Sequence, residues 1–207
     1  MLDHPIFLKS LQIIKAELGE TGLAPIQQQV LERVIHTSGD FELKNLLIFS
    51  NNACESGLIA LKNGANILTD TEMCAAAVRP MAMRTIQSSV FSALEWAPSE
   101  DLVDNTRTAY GMTQAWKELS VVYEHNAPIV LVGSSPTALK SLLALVKQGS
   151  NSPSLIIAMP VGFVGVQESK QLLKESNLPY ISLNGTKGGA AISASVINAL
   201  LRACILE

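Results

Sequence analysis

Arg33 and His36 stand three residues apart in the run Pro25–Gly39 and offer the chain's most specific chemistry. An imidazole can give or take a proton near neutral pH, and a guanidinium beside it can hold an anionic group. At about 100° per residue, Ile26, Val30, Leu31, Val34 and Ile35 form one apolar stripe. His36 falls nearly opposite the centre of that stripe, and Arg33 lies about 60° from it on the same polar flank. This placement predicts an imidazole that faces solvent or lines a cleft. The plainer alternative is a histidine held in the last helical turn by the helix dipole, worth about 0.3–1 kcal/mol. His4 precedes a proline near the terminus and reads as a surface or interface residue. His125, in Tyr123-Glu124-His125-Asn126, reads as part of a solvated loop.

The second chemical signal is a threefold pattern in the last 80 residues. Ala127–Val132 leads into Gly133-Ser134-Ser135-Pro136-Thr137. Leu155–Met159 leads into Pro160-Val161-Gly162-Phe163-Val164-Gly165, and Tyr180–Leu183 into Asn184-Gly185-Thr186-Lys187-Gly188-Gly189. Each reads as a buried parallel strand, a tight turn and a helix N-terminus. Such turns gather along one sheet edge, where bare backbone N–H groups and helix dipoles suit an anionic ligand. Glycine in a tight βα turn also has a purely backbone explanation. Ser135 before Pro136 reads as a helix cap with proline at the first helical position. No turn matches G-x-x-x-x-G-K-[ST] or G-x-G-x-x-G, and no G-x-S-x-G elbow anchors hydrolase chemistry.

The elements that must position these residues follow from apolar periodicity. Helices are expected over Pro5–Leu18, stopped by Gly19, and from Pro25 to Gly39. A helix from about Asn52 to Asn63 precedes the short apolar run Ala65–Leu68, read as a strand closed by Thr69-Asp70-Thr71, with the segment Glu72–Val78 after it. Residues 79–106 are broken by Arg79, Pro80, Arg84 and Pro98, and one more strand is expected around Thr85–Phe91. Thr106 is a candidate cap for a helix from Arg107 to Leu119. The last helix runs from Gly189 to about Cys204. Alternating strands and helices predict a three-layer α/β/α fold with a mostly parallel sheet and N-terminal helices preceding the β-α units.

The bulk numbers set outer limits. A chain of 207 residues with 48% apolar and 16% charged residues is expected to form one globular domain over 1–207. A net charge of −3 argues against a nucleic-acid binder, which carries a basic face. Cys54, Cys74 and Cys204 lie too far apart for a zinc cluster and read as reduced buried thiols. Met1-Leu2-Asp3-His4-Pro5 does not resemble a signal peptide, and no apolar run reaches the ~18–20 residues of a membrane span. A cytoplasmic protein without a membrane anchor is the expectation.

Taken in order along the chain, several segments resemble the precorrin-8X methylmutase family. They are His4-Pro5-Ile6-x-x-x-Ser10, Arg33-Val34-Ile35-His36-x-x-Gly39-Asp40, Asn105-Thr106-Arg107-Thr108-Ala109 and Pro136-Thr137-Ala138-Leu139. Pro160-Val161-Gly162-Phe163-Val164-Gly165-x-x-Glu168-Ser169-Lys170 follows, then Gly185-x-x-Gly188-Gly189 and the helix with Asn198-Ala199-Leu200-Leu201. The resemblance implies an isomerase of corrin synthesis. It would move one methyl group from ring carbon eleven to ring carbon twelve of precorrin-8X, giving hydrogenobyrinic acid, or cobyrinic acid from cobalt-precorrin-8. The shift is intramolecular, so no cofactor and no protein-bound metal are implied.

The family histidine falls on His36, implied to protonate a ring nitrogen, and family substrate contacts fall on Ser10 and Arg33. Arg107, Thr137, Lys187 and Gly188 are further expected substrate contacts around the carboxylate-bearing periphery. The resemblance also implies a homodimer and hand-over of the product to the next enzyme. Two turns depart from the family's usual G-N-A-P-T and G-R-R-G-G, with Ser134-Ser135 and Thr186-Lys187 in their place. The rival readings are a non-catalytic corrinoid carrier and, more distantly, a dinucleotide-dependent enzyme, against which the missing G-x-G-x-x-G fingerprint counts.

Overall fold

The structure, a computed structural model, describes residues 3–100 and 102–206. Met1, Leu2, Asp101 and Glu207 lie outside them, so the leader reading at Met1-Leu2 and the outer bounds of the expected domain are not addressed by it.

Two helices open the chain. Helix α1 (Pro5–Leu18) starts with proline in its first turn, where a missing N–H costs nothing, and the His4 imidazole accepts from Ile6 N. Helix α2 (Pro25–Ser38) ends at Gly39, whose φ of 66° lets its N–H close onto Ile35 O. A 3₁₀ turn (Phe41–Asn45) leads into strand β1 (Leu47–Phe49). Next come α3 (Ala53–Lys62), β2 (Ile67–Thr69), α4 (Glu72–Arg84) and β3 (Val90–Ser92). After a second 3₁₀ turn, Ala93–Trp96, the chain runs through α5 (Arg107–Val122), β4 (Ile129–Val132), α6 (Pro136–Lys147), β5 (Leu155–Ala158), α7 (Val166–Lys174), β6 (Tyr180–Leu183) and α8 (Ala190–Ala203).

The six strands form one sheet in the order β1-β6-β5-β4-β2-β3, parallel except for the β1 edge. Strand alternation sorts the core into two layers. Ile129, Leu131, Ile157 and Ile181 face a cluster with α2, α3, α4 and α8. Val130, Val132, Ile156 and Ala158 face another with α5, α6 and α7. This is the expected three-layer α/β/α arrangement. Helix α1 lies outside it, packing Ile14 and Leu18 on Leu31 and Ile35 of α2.

Three readings need correction. Helix α4 does not break near Val78 but continues through Pro80 to Arg84. Its buried face Cys74, Ala75, Val78, Met81 and Ala82 keeps helical spacing, while Pro80 and Ala76, whose carbonyl the proline leaves without a donor, are exposed. The strand expected around Thr85–Phe91 is displaced to Val90–Ser92, because Gln87 adopts φ +58° in a turn. Strand β1 was not anticipated. It is three residues long and exists through antiparallel pairing of Leu47, Ile48 and Phe49 with Leu183, Ser182 and Ile181.

Gly111 sets the seat of α5. A Cβ there would stand 2.1 Å from Ala93 O and 3.4 Å from Ala97 Cβ. Overpacking costs about 1–3 kcal/mol, whereas the helix propensity gained from alanine is about 0.5–1 kcal/mol. Gly111→Ala is therefore expected to lower the urea midpoint despite lying in a helix. An unchanged midpoint would contradict this close approach.

Candidate active site

The pairing of α1 with α2 builds the first cluster. Ser10 Oγ lies 2.8 Å from His36 Nδ1. The Phe7 ring meets the His36 imidazole edge-on, with centroids 5.0 Å apart at 88°. The Arg33 guanidinium sits 4.6 Å over the same Phe7 ring, and that of Arg202 from α8 sits 5.8 Å over it. Arg202 in turn binds Asp3 Oδ2 through Nε at 2.8 Å and an Nη at 2.7 Å, tying the start of α1 to α8. His36 is exposed, as the stripe geometry predicted, but it is roofed on one side by α1.

These contacts define what the cluster can do. Ser10 engages Nδ1, and Nε2 has no partner among the described residues, so Nε2 is the nitrogen open to a ligand. Partial burial, and secondarily the charge of Arg33, lower the His36 pKa below its ordinary 6.5. The imidazolium is thereby a stronger acid. Burial also lowers the Arg33 pKa, followed by the like charges of Arg202 and Arg84 and opposed by Asp3. Arg33 Nε is buried without a hydrogen-bond partner among the described residues. An arginine beside an ionisable imidazole can serve an anionic group.

The second cluster joins the starts of α5 and α6. Thr106 Oγ1 caps α5 by accepting from Ala109 N, and Ser135 Oγ caps α6 by accepting from Ala138 N. Their hydroxyls interlock: Thr106 with Thr137 at 2.7 Å, Thr137 with Ser135 at 2.9 Å, and Ser135 with Thr108 at 2.7 Å. Arg107 donates from Nε to Pro98 O at 2.8 Å and lines an open pocket with Leu94, Leu102, Asn105, Thr106 and Thr108.

The third group is the sheet edge formed by the turns after β4, β5 and β6. Strand β1 runs antiparallel to β6, so the chain descending from α2 enters it at that same edge, where Asn184 N donates to Leu46 O. Lys187 Nζ meets Asp40 Oδ2 at 2.6 Å, joining the β6–α8 turn to the segment just past His36. Gly188 is required by packing: a Cβ there would lie 2.0 Å from Met159 O. Val161, Phe163 and Val164 stand exposed on the middle turn.

One expectation fails at this edge. The N–H groups of the Gly133–Thr137 turn are not all bare. Asp70, fully buried at the end of β2, accepts from Ser134 N at 2.7 Å and Ser135 N at 2.8 Å. Burial raises the Asp70 pKa, opposed by those backbone donors. The protein thus fills with its own carboxylate the crevice between β2 and β4, where the direction of strand progression reverses. From the sequence alone, Asp70 reads only as part of a turn, so a functional reading from sequence passes it over. Such a reading also misses Phe7, Asp3 and Arg202, whose roles depend on contacts across as many as 199 residues.

The remaining candidates stay apart. His4 is the α1 cap, and His125 lies exposed on a 3₁₀ turn. Burial pushes the Cys54 thiol up to about 12 and raises that of Cys74, in keeping with inert core thiols. No group of residues able to hold a metal, and no helix long and apolar enough to cross a membrane, occurs among the described residues.

Comparison with known proteins gives a consistent result. Residues 5–203 match the family model for precorrin-8X methylmutase. A cobalt-precorrin-8 methylmutase from Synechocystis is 31% identical, with 97% of this chain and 95% of the relative covered. A precorrin-8X methylmutase from Pseudomonas aeruginosa is 34% identical, with 94% and 93% covered. A crystal structure of precorrin-8X methylmutase from Thermus thermophilus superposes with a TM-score of 0.86 at 35% identity, covering 97% of this chain and 98% of that one.

Proposed function

The chain belongs to the precorrin-8X methylmutase family, and on that premise we propose how it acts as an isomerase of cobalamin biosynthesis. It transfers a methyl group from ring carbon eleven to ring carbon twelve of precorrin-8X, or of cobalt-precorrin-8, with His36 as the acid. The observation that carries this reading is the convergence of Ser10, Arg33 and His36, 23 or more residues apart in sequence for Ser10, on one face of the α1–α2 pair.

Bound beside this face, the macrocycle would present a ring nitrogen to His36 Nε2 and a side-arm carboxylate to Arg33. Protonation of the ring nitrogen draws electrons from the macrocycle and weakens the bond to the migrating methyl group. The methyl group moves within the molecule, and the proton then returns to His36, so no external donor or acceptor is needed. Ser10 holds the imidazole in register through Nδ1, and binding would fix the ring in the conformation from which migration occurs. Arg107, Thr137, Lys187 and Gly188 are proposed contacts for the remaining periphery, with Lys187 shared between Asp40 and the substrate.

The relatives carry both the metal-free and the cobalt name, so both substrates belong in the test. Purified protein is expected to convert at least one of them, read by the change in ring absorption. Binding without any spectral conversion would favour the carrier reading. The single domain over 1–207, the homodimer, the cytoplasmic setting and the hand-over of product belong to the same proposal through the family resemblance.

A further inference from the structure

Lys170 is a cation that the proposed chemistry does not use, yet the residue is only 2% exposed. It has no carboxylate partner among the described residues. Its Nζ donates to Gly185 O at 2.9 Å and to Lys187 O at 2.8 Å, both in the turn between β6 and α8. The carbonyl between them, Thr186 O, accepts from Gly162 N at 3.1 Å. Three successive carbonyls of this turn are therefore drawn toward the protein.

The consequence follows from peptide geometry. The peptide bonds here are trans, and across a trans peptide the C=O and the following N–H point in opposite directions. With Gly185 O and Lys187 O turned onto Lys170, the N–H groups of Thr186 and Gly188 turn away from it. Thr186 O is turned onto Gly162 instead, so the N–H of Lys187 turns away from Gly162. None of these three N–H groups has an acceptor among the described residues. The Thr186 and Gly188 N–H groups, turned outward over a buried positive charge, suit an anion.

We propose that Lys170 is a positioning residue for substrate binding, because its ammonium fixes the Asn184–Gly189 turn with the N–H groups of Thr186 and Gly188 presented to a substrate carboxylate. This inference rests on the proposed methylmutase reading and deepens it at the turn that departs from the family pattern. The surrounding contacts agree. Lys174 Nζ holds Asn184 Oδ1 at 2.6 Å and Gly189 N donates to Met159 O at 2.8 Å, so the turn is gripped at both ends while its centre depends on Lys170. Burial, with the like charge of Lys174, lowers the Lys170 pKa to about 8. A cation kept in so unfavourable a place implies a task for its donors.

The test uses Lys170→Met, which keeps length and apolar packing, and Lys170→Gln, which keeps an N–H donor without the charge. Product affinity and KM are expected to weaken at least about tenfold in Lys170→Met, with kcat within about threefold of wild type. Lys170→Gln is expected to regain part of that loss, and it alone carries the test if the methionine variant does not fold. A folded variant with wild-type KM and product affinity would overturn the role, as would a fall in kcat with KM unchanged. A wild-type protein that converts neither substrate would instead contradict the methylmutase reading itself, so the two failures are distinct.

Discussion

His36→Ala is expected to fold and to bind product normally, yet to convert substrate about 10²–10⁴-fold more slowly, the range associated with loss of a positioned acid. The side chain is exposed and makes two notable contacts, the Ser10 hydrogen bond and the Phe7 edge. Its removal is thus expected to change stability by only about 0.5 kcal/mol, the usual scale for a surface site. Urea midpoint and product affinity provide the controls, and the loss should fall on kcat. A His36→Ala protein with near-normal turnover would remove the acid from the mechanism and leave the cluster a binding site alone.

Arg33→Met is expected to weaken substrate and product binding about tenfold to a hundredfold, the scale of a lost charge-assisted hydrogen bond. The half-buried guanidinium rests on Phe7, and its buried Nε has no acceptor among the described residues. Methionine preserves the apolar contact with Phe7, so the loss reports the charge. A second effect follows from the same charge. Arg33 helps to lower the His36 pKa, so the pH limb of the variant's kcat/KM should move upward. Lysine should restore little, since it lacks the planar fork that stacks on Phe7 while binding a carboxylate. Unchanged affinity and an unmoved limb would place the substrate elsewhere.

The parts of the fold that were legible in the sequence are those fixed by local rules. Helix α1 spans Pro5–Leu18 and β6 spans Tyr180–Leu183, the limits that proline, glycine and apolar runs predict. Thr106 and Ser135 cap the helices they precede. Local rules fail where tertiary contacts decide. Strand β1 is too short to carry a pattern, and Pro80 is tolerated because α4 buries the opposite face.

The candidate site divides in the same way. The exposed face of His36 and its Arg33 neighbour follow from the angular position on α2, and the likeness to the family brought in Ser10. Phe7, Asp70 and Lys170 were invisible as functional residues. A phenylalanine in an amphipathic helix, an aspartate in a turn and a lysine in the middle of a short helix look ordinary until partners from distant segments arrive. The bare N–H groups first attributed to all the glycine-rich turns are thereby redistributed. Asp70 fills those after β4, whereas after β6 the proposed role of Lys170 is to turn the Thr186 and Gly188 N–H groups outward.

The claim that His36 Nε2 supplies the proton is tested most directly by the pH dependence of turnover in wild type and His36→Ala. The imidazolium is the active form, so kcat/KM should fall as pH rises through a value below 6.5, the direction in which burial and Arg33 move this histidine. In the substrate complex the carboxylates of the macrocycle favour the charged imidazole, so the limb in kcat should lie at higher pH than that in kcat/KM. Both limbs are expected to disappear in His36→Ala, leaving a slow rate that no longer depends on pH in this range. The same limbs persisting without His36 would contradict it.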